Sequence, residues 1–172
     1  YAMKLTTREL TLCAVLTAMA LALSYLESFF PLSLAIPIPG IKLGLANIVT
    51  VYAVFALGPG DALLILVARV FLGAVFSGQM MTLFYSLGGG LLCWLVLLLL
   101  SRLLTWKQIW LCSPISAVFH NLGQLLVAAA LLGSWTVLAY LPYLVVAGAA
   151  SGLFTGLCAQ LLAGRLKGLG RR

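Results

Sequence analysis

The chain alternates long apolar runs with short breaks rich in glycine, proline or charge. Each run approaches the ~20 residues that an α-helix needs to cross the hydrocarbon core of a bilayer. The breaks predict six helices. The first covers residues 7–29, and Pro31, Pro37, Pro39 and Gly40 then hold the chain in a loop over 31–40. The second covers 41–57 and closes at the tight turn Gly58-Pro59-Gly60-Asp61. The third covers 62–76, and Ser77-Gly78-Gln79 ends it. The fourth covers 81–100 and leads into a basic link over 102–107. The fifth covers 109–132 and stops at Gly133-Ser134. The sixth covers 137–163, before a tail with Arg165, Lys167, Arg171 and Arg172. Tyr1-Ala2 precede Met3 and are expected to be a cloning remnant, which leaves 3–172 as a single six-helix membrane domain. The polar stretch over 4–9, with no small-residue cleavage site after it, predicts a retained first helix rather than a signal peptide.

Composition strengthens this picture. Of 172 residues, 64% are hydrophobic and 8% charged, and mean hydropathy is +1.20. A soluble domain carries about 25% charged residues. So few charges cannot cover a water-facing surface, and an all-α integral membrane protein follows. The net charge of +7 is placed at helix ends, which argues against nucleic-acid binding. It also sets a direction, because Lys and Arg favour cytoplasmic segments. With the N-terminus inside, Lys4, Arg8, Arg102, Lys107, Arg165, Lys167, Arg171 and Arg172 are cytoplasmic, and Lys42 is outside. Both termini are therefore expected in the cytoplasm. Cys13, Cys93, Cys112 and Cys158 form no CxxC pair and read as free thiols in apolar surroundings.

Polar groups inside a membrane are expensive and mark candidate sites. Under the predicted topology, Lys42 and Asn47 fall in the outer half of the second helix, and Gln79 and Tyr85 near the outer start of the fourth. His120, Asn121 and Gln124 fall in the later, outer part of the fifth, and Tyr140 and Tyr143 early in the sixth. Glu27 ends the first helix. The cluster suggests a pocket open to the outside. His120 and Gln124 are four apart and share a helix face. Ligand contact is one reading of the cluster, and inter-helix hydrogen bonding is the other. Arg69, mid-helix, must face the interior, find an acceptor or snorkel. It either bonds helix carbonyls or attracts an anionic ligand group. Lys42, behind a rigid Pro-Gly turn, could hold an anion or simply snorkel to water. Ala14, Ala18 and Ala22 form a small-residue stripe for close helix approach, either within the bundle or to a partner. Gly88-Gly89-Gly90 and Gly148, Gly152 and Gly156 read as internal packing.

Glu9, Glu27 and Asp61 are the only acids. The sequence holds no aspartate-rich pair for a Mg²⁺-diphosphate, no HExxH, no metal-spaced His/Cys set and no Walker A loop. Catalysis, a metal and a cofactor are therefore not expected in this chain.

The stretch Pro39-Gly40-Ile41-Lys42-Leu43-Gly44-Leu45-Ala46-Asn47-Ile48 resembles the signature of the Gx transporter family, also labelled heptaprenyl diphosphate synthase component I. Arg69-Val70-Phe71-Leu72-Gly73 and His120-Asn121-Leu122-Gly123-Gln124-Leu125 are similar to its other shared blocks. That family resembles the S components of energy-coupling factor (ECF) transporters. The resemblance implies a six-helix S-component-like bundle in a bacterial cell membrane that captures a small anionic solute, vitamin or cofactor precursor. It implies a coupling transmembrane subunit and two ATPase subunits as partners. Ala14, Ala18 and Ala22 would dock the coupling subunit, and Lys42, Asn47, Arg69, Gln79, Tyr85, His120, Asn121 and Gln124 would contact substrate. The synthase label implies an alternative, a non-catalytic membrane subunit associated with prenyl diphosphate synthesis.

Overall fold

A computed structural model describes residues 7–27, 29 and 44–165. Tyr1-Ala2, the loop over 31–40, Lys42 and the tail over 166–172 lie outside the described residues. Among the described residues the chain is helical with no strand: α1 (Thr7–Glu27), α2 (Asn47–Ala56), α3 (Pro59–Ser77), α4 (Met80–Leu103), α5 (Ile109–Leu132) and α6 (Leu141–Arg165). Short 3₁₀ turns at Trp106–Gln108 and Trp135–Tyr140 lead into α5 and α6. The expected breaks hold. Gly78 and Gly133 end α3 and α5 in the left-handed conformation, at φ 65° and 62°, where a side chain would be strained. Pro59 starts α3 behind Gly58, with Asp61 in the first turn, where its charge favours the helix dipole.

Five segments are long and apolar enough to cross a membrane, with mean hydropathies of 1.7–2.2. The second helix departs from expectation. It starts at Asn47, later than predicted, and runs only 10 residues. Such a helix rises about 15 Å, half the ~30 Å hydrocarbon core. The reason is local. Gly44 adopts φ +87°, which a continuing helix cannot use. Glu27 takes up the N–H groups of Gly44 and Leu45, at 2.5 and 3.1 Å. Asn47 N–H then bonds Gly44 O at 2.8 Å, which closes the turn from which α2 departs.

Contacts fix how the elements run. Trp94 Nε1 donates to Pro59 O at 2.9 Å, so α4 ends where α3 begins. Gln160 Nε2 donates to Trp106 O at 2.9 Å, which ties the last part of α6 to the start of α5. The Phe55 and Trp106 rings lie 6.0 Å apart, so α2 finishes at the same end. Cys13 of α1 lies within electrostatic reach of Asp61, so α1 also begins there. This end carries Arg102, Lys107 and Arg165. From it, α2 rises only as far as Asn47, beside Arg69 at the middle of α3.

The core forms around this half-length helix. α2 packs against each of the other five α-helices, and eight of its ten residues are buried. An element covered on all sides is apolar all round, and Val49, Val51, Tyr52, Ala53 and Val54 supply that coat. α5 makes the broadest contacts, with α4 and α6. Glycines permit both. Gly89 and Gly123 bring the α4 and α5 backbones together, while Gly148, Gly152 and Gly156 close α6 onto Asn121, Pro114 and Ser113. The glycines are internal packing, as the sequence suggested. The outward surfaces hold many exposed Leu, Val, Phe and Met residues, as lipid contact requires.

Candidate functional site

The site is built where α2, α3 and α5 meet beside α4. Arg69 is 7% exposed and donates from Nη2 to Asn47 Oδ1 at 3.2 Å. Asn47 is the first residue of α2, so the Gly44 turn decides where it stands. That turn is tight against the site. A Cβ on Gly44 would lie 2.7 Å from Asn47 Nδ2 and 3.2 Å from His120 Cδ2. On the other side of the imidazole, a Cβ on Gly89 would lie 3.1 Å from His120 Cε1 and 2.7 Å from Gln124 Cγ. Asn47, His120 and Gln124 are thus contiguous, with Arg69 bonded to the first of them. Gly44 and Gly89 are glycines because the site's own side chains occupy the space a Cβ would need.

Burial makes the arrangement costly. Among the described residues, the eight buried side-chain atoms without a hydrogen-bond partner include Asn47 Nδ2, Arg69 Nε, His120 Nδ1, Asn121 Oδ1 and both polar atoms of Gln124. Six of the eight therefore belong to five of the candidate residues. Each such group costs about 1–3 kcal/mol relative to a satisfied one. Native interiors rarely leave more than a few polar groups unpaired, and here five of the atoms belong to the Asn47, Arg69, His120 and Gln124 group.

The other candidates stand elsewhere. Asn121 shares the helix turn but faces α6, where its Nδ2 donates to Leu144 O at 2.9 Å. Tyr85 is buried in an apolar cluster with Leu125, Ala128, Val137 and Leu144. Gln79 is an exposed residue before α4, where its carbonyl accepts from Thr82. Tyr143 is exposed on the outer surface of α6. Lys42 lies outside the described residues. His120 sits at the midpoint of α5 and Arg69 near the midpoint of α3, so the cluster is central in the bundle rather than in the outer half.

The sequence shows Glu27 only as a polar end to the first helix. It is 4% exposed, and through the Gly44 turn it sets the start of α2. An acid at the end of an apolar run was its signal. Ser116 and Cys93 are also buried beside the cluster, close to one another and with Cys93 near Arg69. All four cysteines are free thiols. Among the described residues no group of His, Cys, Asp and Glu has the arrangement to hold a metal ion.

Ala14, Ala18 and Ala22 are exposed, whereas Cys13, Leu16, Thr17, Ala20 and Glu27 form the buried face of α1. Among the described residues, the bundle does not use the alanine stripe for its own packing.

An all-helical apolar bundle with five membrane-length segments and a buried polar cluster defines a multi-pass membrane protein. The family model described as heptaprenyl diphosphate synthase component I matches residues 16–162, and the chain belongs to that family, the one its three sequence blocks resemble. No curated protein and no solved structure matches it.

Proposed function

We propose that this protein is the solute-capture subunit, the S component, of an ECF-type ATP-driven importer. The observation that carries the reading is the set of five unpartnered buried polar atoms that Asn47, Arg69, His120 and Gln124 contribute from α2, α3 and α5. A small polar ligand satisfies such groups, and a purely structural core has no use for them. Arg69 hydrogen-bonds a neutral amide oxygen, and the Glu27 carboxylate within its electrostatic reach is engaged by two backbone N–H groups, which leaves the guanidinium able to take a ligand's anionic group. The atoms are screened from solvent, so a ligand reaches them by displacing an element, and the half-length α2 is the shortest to displace.

The direction of transport follows from charge. The end of the bundle that carries Arg102, Lys107 and Arg165 faces the cytoplasm. Both chain termini are assigned to that side, with six crossings in all, and the solute arrives from outside. The outward alanine stripe of α1 docks a coupling transmembrane subunit served by two ATPase subunits. This chain hydrolyses nothing itself.

The test is co-expression with such a coupling module. A stable complex and ATP-dependent solute accumulation in proteoliposomes are expected. Purified protein that neither joins the complex nor retains any small molecule by native mass spectrometry overturns the reading. The family's description favours one other reading, a membrane subunit associated with prenyl diphosphate synthesis. That reading requires capture of a soluble prenyl diphosphate synthase, lost on deletion of residues 165–172.

A further inference from the structure

The unpartnered atoms are not all alike, and their differences specify a ligand. Gln124 is 0% exposed, and both its Oε1 and its Nε2 lack partners. A carboxamide presents an acceptor and a donor side by side in one plane. A carboxylate satisfies Nε2 but sets an anion against Oε1. An apolar group satisfies neither. A group with a donor and an acceptor on adjacent atoms satisfies both at once, and that is the cis-amide edge of a lactam or imide ring.

The other end of the cluster has the opposite character. Arg69 Nε and Asn47 Nδ2 are donors only. They match an acceptor-only group, a carboxylate or a phosphate. His120 stands between the two ends, its ring held between Gly44 and Gly89 with Nδ1 free for a third contact.

From this pattern we infer that the site takes a two-part solute: an oxyanion held by Arg69 and Asn47, joined to a lactam- or imide-bearing ring read by Gln124. The inference rests on the capture reading and narrows its substrate class. Gln124 is the specificity-determining residue, and Arg69 is the anchor.

The test is equilibrium dialysis of the purified full-length protein against a bacterial metabolite extract, with mass spectrometry of what is enriched. Wild type, Gln124→Met and Gln124→Glu are compared, the last being close to isosteric with the native side chain and so safest for folding. Circular dichroism and size-exclusion profiles select the variants that fold as wild type. The expected result is a wild-type-enriched compound that carries both a carboxylate or phosphate and a cis-amide edge. Its mass identifies which oxyanion is present. Its enrichment falls about tenfold or more in a folded Gln124 variant. An enriched compound without the amide edge, or one retained equally by both folded variants, overturns this inference and leaves the capture reading standing. No compound enriched above an unrelated membrane protein overturns the capture reading and this inference together.

Discussion

Arg69 and Glu27 are buried charges with different tasks, and substitution separates them. Arg69 hydrogen-bonds a neutral amide, and the Glu27 carboxylate within its electrostatic reach keeps two backbone N–H partners when the guanidinium is removed. Arg69→Gln is expected to shift thermal unfolding in detergent only slightly while reducing solute retention at least about tenfold. Equal loss of both would make Arg69 a structural residue. Glu27 bonds two backbone N–H groups of the turn that begins α2. Glu27→Gln keeps the shape but presents an NH₂ to one of those donors and loses the charge assistance. A destabilisation of about 1.5–3 kcal/mol is expected, read as a lowered midpoint of thermal unfolding. Gly89→Ala places a methyl 2.7 Å from Gln124 Cγ and from His120 O. Overpacking of this kind costs about 1–3 kcal/mol, and it also displaces the two side chains most central to the site. Unchanged stability and binding in Gly89→Ala would show that α4 stands further from α5 than described.

At the scale of elements, α1 has two faces with separable consequences. Leu16 is 4% exposed and part of the main core, so Leu16→Ala is expected to cost about 2–5 kcal/mol. Ala18 is on the opposite, exposed face. Ala18→Leu is expected to leave unfolding within about 0.5 kcal/mol of wild type, yet to abolish co-purification with a coupling subunit. Intact assembly and uptake in Ala18→Leu would remove the docking role of α1. The half-length α2 is the other element with a dual position. Its flank is core, while its first residue is a site residue. A shift of α2 therefore couples the arrangement of Asn47 and Arg69 to the packing of the whole bundle.

For the whole molecule, the proposed orientation is a statement about two surfaces, and labelling tests it. The native cysteines give low background, since three are buried and Cys158 is half-buried. A membrane-impermeant maleimide added to intact cells is expected to label Gln79→Cys and to spare Lys107→Cys until the membrane is opened. The reverse pattern would place the basic end outside and remove the importer direction. Both positions are exposed, so accessibility to reagent is decided by the membrane rather than by the fold.

Much of this protein is legible in its sequence, for reasons of solvent. Twenty-residue apolar runs in a chain with 8% charge leave lipid as the compatible environment, and glycine and proline breaks mark where helices stop because backbone sterics are local. Asn47, Arg69, His120 and Gln124 could be picked out singly, since a polar group is conspicuous in an apolar run. The sequence groups them together with Lys42, Gln79, Tyr85 and Asn121, but which of these meet was not legible, because it depends on how far α2 extends and which way each side chain turns. A continuous second helix over 41–57 is locally reasonable. It is replaced by a turn and a half-length helix because Glu27, 17 residues away in sequence, takes the N–H groups of Gly44 and Leu45. The same distinction separates Asn121 from His120. Adjacent positions on a helix point about 100° apart, and only the placement of α6 and α4 decides that one bonds Leu144 while the other joins the cluster. The sequence by itself determined the solvent, the breaks and the inventory of polar groups. The tertiary structure decided which of them meet, because that depends on long-range contacts between elements that no local pattern encodes.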